Sequence, residues 1–263
     1  MIFYFSGTGN TKWAAKDLAA STDDKLINMA DAIPGDCSYN LTDDERLGFA
    51  FPIHGWRVPI IVIRFIEKLK LNYTGQYCYA VVTAGDSIGL ADERLDKLLA
   101  SKGIRLDACF SLIMPESYVG LPFMDVDTLK KENEKKQKAA SDLDTYIKCI
   151  VKREKGVSMV THGPLPGFFS GPVGAFFLKH LITDKPFHVD KDRCTGCGTC
   201  EKLCPVNDID IADDGEKATP QWKHNGKCLT CFSCYHHCPV KAISYGHRTK
   251  GKGQYFYNRN HIK

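Results

Sequence analysis

Residues 194–205 read CTGCGTCEKLCP and residues 228–239 read CLTCFSCYHHCP, so the pattern C-x2-C-x2-C-x3-C-P occurs twice near the end of the chain. Three cysteines at steps of three allow one short loop to hold three corners of an iron–sulfur cube, in which each iron takes one thiolate. The fourth thiolate of each cube must come from elsewhere. The two runs therefore indicate iron–sulfur chemistry.

With every ligand position filled, residues from about 188 to about 247 resemble the bacterial ferredoxins that carry two [4Fe–4S] clusters. In those ferredoxins the remote cysteine of each run binds the other cluster. The resemblance implies one ligand set of Cys194, Cys197, Cys200 and Cys238, and a second set of Cys228, Cys231, Cys234 and Cys204.

Two other uses of these cysteines are a zinc ribbon and a disulfide framework. Zinc takes four ligands, usually as two C-x-x-C pairs, and has no use for a third cysteine at the same step. Disulfides require an oxidising compartment, whereas Met1 leads directly into an apolar run without the basic leader of a secretory signal. We expect a reducing cytoplasmic setting.

Composition limits the class of protein. At 263 residues, with 43% hydrophobic and 25% charged side chains, the chain has room for two globular domains. A formal charge of +4 without a basic, aromatic stripe argues against a nucleic-acid partner. The most apolar window, Leu165–Ile182, is broken by prolines and glycines, so we expect no membrane span. Outside the two runs, Cys78 and Cys109 lie in apolar segments and are expected to be buried free thiols.

The first residues carry a second signal. The apolar run Ile2–Phe5 predicts a buried strand, and Trp13–Ala20 predicts a helix. Between them lies a polar glycine loop at a helix N-terminus, where backbone N–H groups and about half a positive charge favour a phosphate. The loop lacks both G-K-[ST] and G-x-G-x-x-G, and instead resembles the FMN-phosphate loop of flavodoxins. Its candidate ligands are Ser6, Gly7, Thr8, Gly9, Asn10 and Thr11.

Strand and helix patterns alternate after this loop. Further strands are predicted at 25–29, 47–51, 77–83 and 108–114, and helices at 60–69, 90–102 and 127–155. This alternation predicts an α/β fold with a doubly wound, parallel, five-stranded sheet in the flavodoxin-like order 2-1-3-4-5. The charged run 130–138 is expected to be the exposed face of the last helix.

Ligands of such sheets lie beyond the carboxyl ends of the strands. Two turns there resemble the flavodoxin loops that flank the isoalloxazine ring, which gives as candidate FMN ligands Pro52, Ile53, His54, Gly55 and Trp56 after the third strand and Thr83, Ala84, Gly85 and Asp86 after the fourth. Trp56 offers a flat face to the ring, the alternative being a loop anchor. His54 either donates a proton near the flavin or only fixes its loop. The second loop lacks the usual aromatic residue, which would leave one flavin face open or covered by Tyr118.

These patterns divide the chain into residues 1–156 with an FMN site, 157–187 as an aromatic linker packed on both neighbours, 188–247 as a small α+β domain for two [4Fe–4S] clusters, and 248–263 as a basic tail. The tail carries Arg248, Lys250, Lys252, Arg259 and Lys263, and is expected to be either a disordered end or a docking arm for an acidic partner.

The combination resembles the flavodoxin–ferredoxin fusion proteins of the EFR1 type found in anaerobic bacteria and archaea. That likeness implies an electron-transfer protein that links FMN and the clusters to a redox partner protein. The alternatives are an FMN-dependent reductase of a small organic substrate, fed by its own ferredoxin domain, and an interaction module with structural metal. The oligomeric state stays open, a homodimer being one possibility.

Overall fold

The structure is a computed structural model that describes residues 1–213, 215 and 217–259. The strands are β1 Ile2–Tyr4, β2 Leu26–Asn28, β3 Ser38–Tyr39, β4 Leu47–Pro52, β5 Lys70–Leu71, β6 Cys78–Ala84, β7 Ala108–Ile113, β8 Val157–Met159, β9 Phe187–Val189, β10 Ile209–Asp213, β11 Ala218–Trp222 and β12 Ile243–Tyr245. The α-helices are α1 Asn10–Thr22, α2 Met29–Ala32, α3 Ile60–Lys68, α4 Ala91–Ala100, α5 Leu129–Val151, α6 Pro166–Phe168, α7 Gly174–His180, α8 Thr199–Lys202 and α9 Ser233–His236.

The main sheet has six parallel strands in the order β2-β1-β4-β6-β7-β8. Five of them give the predicted order 2-1-3-4-5, and β8 adds a sixth strand at the edge beside β7. The prediction of five strands was short by this one. Val157, Ser158 and Met159 form too short and too exposed a run to be recognised by pattern, and they lie in the segment interpreted as a linker.

Both faces of the sheet are buried, as expected for parallel strands. Phe3 and Phe49 point to one face and pack with Phe65 of α3. Ile2 and Phe110 point to the other, where α1 and α5 cover them. Because both faces are buried, the strands read as continuous apolar runs. Because the strands are parallel, the carboxyl ends of β1, β4 and β6 lie at one edge of the sheet.

Helix α5 exposes most of its charged run 130–138, as predicted. Glu132 is the exception, since only 1% of it is exposed. It pairs with Lys136 at 2.6 Å and with Arg259 at 2.5 Å. A buried carboxylate is retained because two cations compensate for its lost hydration.

The C-terminal domain contains two small antiparallel sheets, β9 with β12 and β10 with β11. Its core is aromatic: Phe187 stacks on Trp222 with 5.5 Å between ring centroids and contacts Phe232 and Tyr245. Val119, from the turn after β7, belongs to the same buried cluster. The two domains therefore share a hydrophobic core.

The aromatic segment 160–186 contacts both neighbours. It forms the short helices α6 and α7 around a π-helical turn, Phe169–Val173. The Arg57 guanidinium donates to the carbonyls of Ser170 and Gly171 at 2.6 and 2.8 Å, and the amide of Thr183 donates to the Thr230 hydroxyl at 2.8 Å. Within the part of the chain that the structure describes, no helix has both the length and the apolar character needed to cross a bilayer.

The expectation of a disordered tail is wrong for residues 248–259, whereas the docking arm for an acidic partner stays a prediction. After the 3₁₀ turn Gly246–Thr249, Tyr255 is 1% exposed, and the Tyr257 ring stacks on Trp13 of α1 at 5.3 Å. Arg259 pairs with Glu132, and Lys252 donates to the carbonyls of Val119 and Leu121. The tyrosines supply apolar area that fixes the segment. Three of its cations have partners inside the molecule, since Arg248 also donates to the Gly120 carbonyl at 3.4 Å. Lys263 lies outside the described residues.

Candidate functional site

The loop 6–11 joins β1 to α1 in the form expected of an anion cradle. Gly9 is the N-terminal cap of α1 and adopts a left-handed conformation, φ 97°, which favours glycine. Its amide donates to the Ser6 hydroxyl oxygen at 3.1 Å, which tightens the turn. The amides of Asn10 and Thr11, in the first turn of α1, have no intrahelical acceptor and are available to an anion.

Several side chains of this loop have protein partners. The Asn10 amide donates from Nδ2 to the Pro115 carbonyl at 3.2 Å, while its Oδ1 accepts from the Tyr255 hydroxyl. The hydroxyls of Thr11 and Thr83 lie 2.8 Å apart. Asn10 and Thr11 thus position the loop with their side chains. Both side chains are among the ligands predicted above, whereas the geometry leaves that role mainly to backbone N–H groups and to the hydroxyls of Ser6 and Thr8.

Trp56 lies in the turn after β4 and has a left-handed backbone, φ 56°. Its Nε1 donates to the Ser87 hydroxyl at 3.2 Å, and Phe169 packs on the indole with 4.7 Å between ring centroids. Trp56 therefore anchors its loop and also lines the cleft, so both interpretations of this residue describe part of its environment.

His54, in the same turn, also lines the cleft. Burial lowers the pKa of His54 to about 4. The imidazole is therefore neutral at neutral pH, and it offers hydrogen bonding rather than a positive charge.

The turn after β6 leaves no space for a side chain at position 85, because Gly85 faces the Glu116 carboxylate. A Cβ on Gly85 would lie 2.1 Å from Glu116 Oε2. Oε1 of Glu116 accepts from the amides of Ser117 and Tyr118 at 2.9 and 2.8 Å. Burial raises the pKa of Glu116, although these amides and Lys135 favour its charged form. The space left by the missing aromatic residue is thus occupied by residues from the turn after β7.

These loops surround one cleft, with about 1020 Å³ of space that is partly continuous with solvent. All of the flavin-binding residues predicted from the sequence line it except Gly9, which faces Tyr257. Tyr118, the candidate lid, lines it as well and contacts Phe177 at 5.2 Å. The described lining contains no Lys or Arg, so an FMN phosphate would rely on neutral donors and the α1 N-terminus.

Part of the cleft comes from residues that the sequence analysis did not assign to it. The linker and the C-terminal domain contribute Phe177, Ile182, Leu229, Thr230, Cys231 and Phe232. No local pattern identifies these residues, because they reach the cleft only through the docking of the two domains.

Two smaller cavities contain the eight cysteines of the repeated runs. One, with about 340 Å³ of space, is lined by Cys194, Cys197, Cys200 and Cys238. The other, with about 320 Å³, is lined by Cys204, Cys228, Cys231 and Cys234. Each cavity thus combines three cysteines of one run with the last cysteine of the other run, which is the grouping that the resemblance implies. We call these two cavities cluster sites I and II.

The donor set fits cubanes better than single ions. Among the described residues, no group of three or more His, Cys, Asp or Glu side chains converges on a point where one ion would bind. Ligands of a cubane are further apart because each binds a different iron. The structure shows all twelve cysteines as free thiols. Cys78 and Cys109 are buried, as predicted.

The two cluster sites are related by repeated local geometry. Amides donate to sulfur two residues after the first cysteine of each run, from Gly196 to Cys194 at 3.5 Å and from Thr230 to Cys228 at 3.4 Å. The amides four residues after the last cysteine of each run also donate to sulfur, from Asp208 to Cys204 and from Ala242 to Cys238, both at 3.2 Å. Such N–H···S bonds stabilise negative charge on a cluster and tune its potential.

The two sites differ in their surroundings. Site II adjoins the cleft: a Cβ on Gly7 would lie 3.1 Å from Cys231 Cβ and 3.7 Å from Cys231 Sγ. Site I faces away, and its Cys197 is the one exposed cysteine. Site II thus shares lining residues with the cleft, whereas site I shares none and has an exposed cysteine.

Comparison with known proteins agrees with the C-terminal geometry. Residues 187–239 match the family described as a 4Fe-4S dicluster domain. A ferredoxin of Pyrobaculum islandicum is 41% identical over 56 residues, which cover 21% of this chain and about half, 49%, of that protein. Ferredoxin-3 of a Nostoc species is 31% identical over 71 residues, which cover 22% of this chain and 73% of that protein.

Through this C-terminal domain the chain belongs to the ferredoxin family. Since the strand order of the N-terminal domain is flavodoxin-like, the protein is a fusion of a flavodoxin-like fold with an iron–sulfur ferredoxin domain. A flavoprotein structure from Bacteroides uniformis is 21% identical, with a TM-score of 0.35, and covers 43% of this chain and 88% of its own. At that score it adds nothing to the fold assignment, which rests on strand order.

Proposed function

We propose that the protein is an electron-transfer flavo-iron–sulfur protein of the EFR1 type, which holds FMN in the cleft and a [4Fe–4S] cluster in each of sites I and II. FMN exchanges electrons in pairs or singly, whereas each cubane carries one, so the three centres would link two-electron and one-electron chemistry. The partner would be a separate redox protein.

The observation that supports this proposal best is the contact of Gly7 with Cys231. Gly7 belongs to the loop that would hold the FMN phosphate, and Cys231 is a predicted ligand of site II. Electron tunnelling falls steeply with distance, so a cofactor and a cluster whose binding residues touch are well placed to exchange electrons. Both residues line the same cleft.

In this proposal the electrons continue from site II to site I. Sites I and II share cysteines across the two runs, because Cys204 and Cys238 each line the site of the other run. Cys197 then places site I at the surface. We expect the redox partner to dock over this edge.

The proposal is tested by metal analysis and by photochemical reduction of the protein prepared without oxygen. The assay should find one FMN and about eight irons per chain, as two cubanes require. Light-driven reduction of the flavin should then bleach cluster absorption. Removing site II with Cys231→Ala should abolish this transfer, whereas Cys197→Ala, which damages site I, should leave transfer to site II. Protein without flavin, or Cys231→Ala protein that transfers electrons normally, would overturn the proposal.

The reductase alternative is supported by the continuity of the cleft with solvent and by His54, Glu116 and Tyr118 in its lining. It predicts that the dithionite-reduced protein reoxidises its flavin when a panel of small organic acceptors is added without any partner protein. If no acceptor is turned over while the centres bleach stoichiometrically, the carrier function stands and the reductase does not.

A further inference from the structure

The last described residues run from the ferredoxin domain to the N-terminal loop. We call residues 252–259 the C-terminal strap. It is bonded first to helix α9 and the turn after it. The Tyr235 hydroxyl donates to the carbonyls of Lys252 and Gly253 at 3.2 and 3.1 Å. The Gln254 side chain donates to the carbonyls of Tyr235 and Cys238 at 2.5 and 3.0 Å. The strap therefore starts as part of the ferredoxin domain.

The strap then contacts the loop 6–11 directly. The amide of Tyr257 donates to the Thr8 carbonyl at 2.8 Å, and the Tyr257 Cβ is 3.0 Å from where a Cβ on Gly9 would lie. The buried Tyr255 hydroxyl donates to Asn10 Oδ1. Three consecutive loop residues are thus contacted by a segment that does not itself line the cleft.

We propose that the C-terminal strap is a part of the flavin site, in which Tyr255 and Tyr257 are positioning residues that hold the phosphate-binding loop in its binding conformation. This inference rests on the proposed function and adds to it a binding determinant from the other domain. The strap itself does not line the cleft, so its effect is exerted through the loop.

The Asn10 side chain shows why the effect should reach the ligand. Its Nδ2 is bound to the turn after β7 and its Oδ1 to the strap, so the amide has one allowed orientation. Loss of the Tyr255 hydroxyl leaves a buried acceptor without a donor, which is costly. The first turn of α1, which begins at Asn10, would then lose the support that aims its N–H groups at the ligand.

A second connection joins the strap to the turn after β7. His236 Nδ1 accepts from the amide of Tyr255 at 3.1 Å, which requires the proton on Nε2, and Nε2 donates to the Ser117 carbonyl at 2.7 Å. Ser117 lines the cleft and lies 3.4 Å, Oγ to Oγ1, from Thr8. The strap, α9 and the phosphate loop therefore form one connected hydrogen-bonded unit.

The test is the dissociation constant of FMN, measured by flavin fluorescence on full-length, cluster-loaded protein. Tyr255→Phe should raise it about tenfold, which equals about 1.4 kcal/mol. Tyr257→Ala, which removes the ring stacked on Trp13, should raise it as well. Tyr146→Phe is the matched control, because it also deletes a buried tyrosine hydroxyl, bonded to the Ser111 carbonyl at 3.0 Å, but away from the loop.

A second measurement follows from the reciprocity of coupled binding. If the strap supports FMN binding, then FMN must stabilise the strap and slow hydrogen exchange at the amide of Tyr257. Wild-type dissociation constants in Tyr255→Phe and Tyr257→Ala, or exchange that FMN leaves unchanged, would overturn the inference while FMN binding itself stands. Wild-type protein that binds no FMN would instead overturn the proposed function.

Discussion

At the scale of single residues, Gly85 shows how closely the cleft is built. A Cβ at this position would lie 2.1 Å from Glu116 Oε2 and 2.8 Å from its Cδ, and the backbone of Gly85 does not require glycine. Gly85→Ala should therefore act by displacing the Glu116 carboxylate from the amides of Ser117 and Tyr118. A buried donor without an acceptor costs about 1–3 kcal/mol. Since these two donors are only partly buried, we expect a total loss of about 1–3 kcal/mol in the free energy of unfolding.

The measurement is anaerobic denaturant unfolding, with the FMN dissociation constant as a second readout. Gly167→Ala is the control, since nothing lies within 4 Å of its added Cβ. The double variant Gly85→Ala/Glu116→Ala should lose less stability than the sum of the two single variants, because the clash is gone. Strict additivity would contradict the explanation.

His54 gives a prediction about pH. Its pKa is lowered from 6.5 to about 4 in the folded protein by burial, so between these values the unfolded chain binds more protons than the native one. Stability contributed by the neutral imidazole is complete above pH 6.5 and is lost as the pH falls, by about 1.4 kcal/mol per unit. Flavin-free wild type should lose about 1 kcal/mol more than His54→Gln between pH 7.5 and pH 5.5 in unfolding experiments. Equal losses would show that the pKa of His54 is not lowered in the folded protein.

At the scale of elements, the aromatic segment 160–186 determines the spacing of the two loops expected to flank the flavin ring. Ser170 is fully buried, and its hydroxyl donates to the Trp56 carbonyl at 2.8 Å and accepts from the Leu90 amide at 2.7 Å. Ser170→Ala leaves one buried donor and one buried acceptor unpaired, which should cost about 1–3 kcal/mol for each group. The FMN affinity of Ser170→Ala should fall together with its stability, because the turn with Trp56 lines the cleft and the turn that ends at Leu90 adjoins it.

The matched control is Ser158→Ala, an exposed serine in β8 of the same part of the chain. Thermal unfolding and flavin titration of both variants test whether Ser170→Ala loses stability and FMN affinity. An unaffected Ser170→Ala protein would mean that Trp56 is fixed by Phe169 and Ser87 alone.

What the sequence predicts at this scale follows from how local its signals are. Strands β1, β4, β6 and β7 were found because a buried parallel strand is a continuous apolar run, and the cysteine runs because ligand spacing is local. The strap was predicted to be disordered or a docking arm, since nothing near Tyr255 in the sequence indicates a partner 245 residues away at Asn10. Likewise Ser170 reaches Trp56 across 114 residues.

At the scale of the whole molecule, the two domains are joined by contacts that depend on the folded ferredoxin domain. Val119 lies in the ferredoxin core, Cys231 packs against Gly7, and His236 donates to the Ser117 carbonyl. Each contact comes from a segment next to or within a predicted cluster site. Metal binding and folding are coupled in small metal-bound domains, so loss of iron should loosen these contacts together.

Calorimetry should therefore show one cooperative unfolding transition for the cluster-loaded protein rather than one for each domain. Removing iron under oxidising conditions with a chelator should lower the unfolding temperature of the flavodoxin-like domain and raise the FMN dissociation constant at least tenfold, since Gly7 and the turn after β7 lose their neighbours. Rebuilding the clusters with iron and sulfide should restore both values, which controls for damage by the treatment. Two separate transitions, with flavin affinity unchanged after iron removal, would show that the domains fold and bind their cofactors independently despite the core they share.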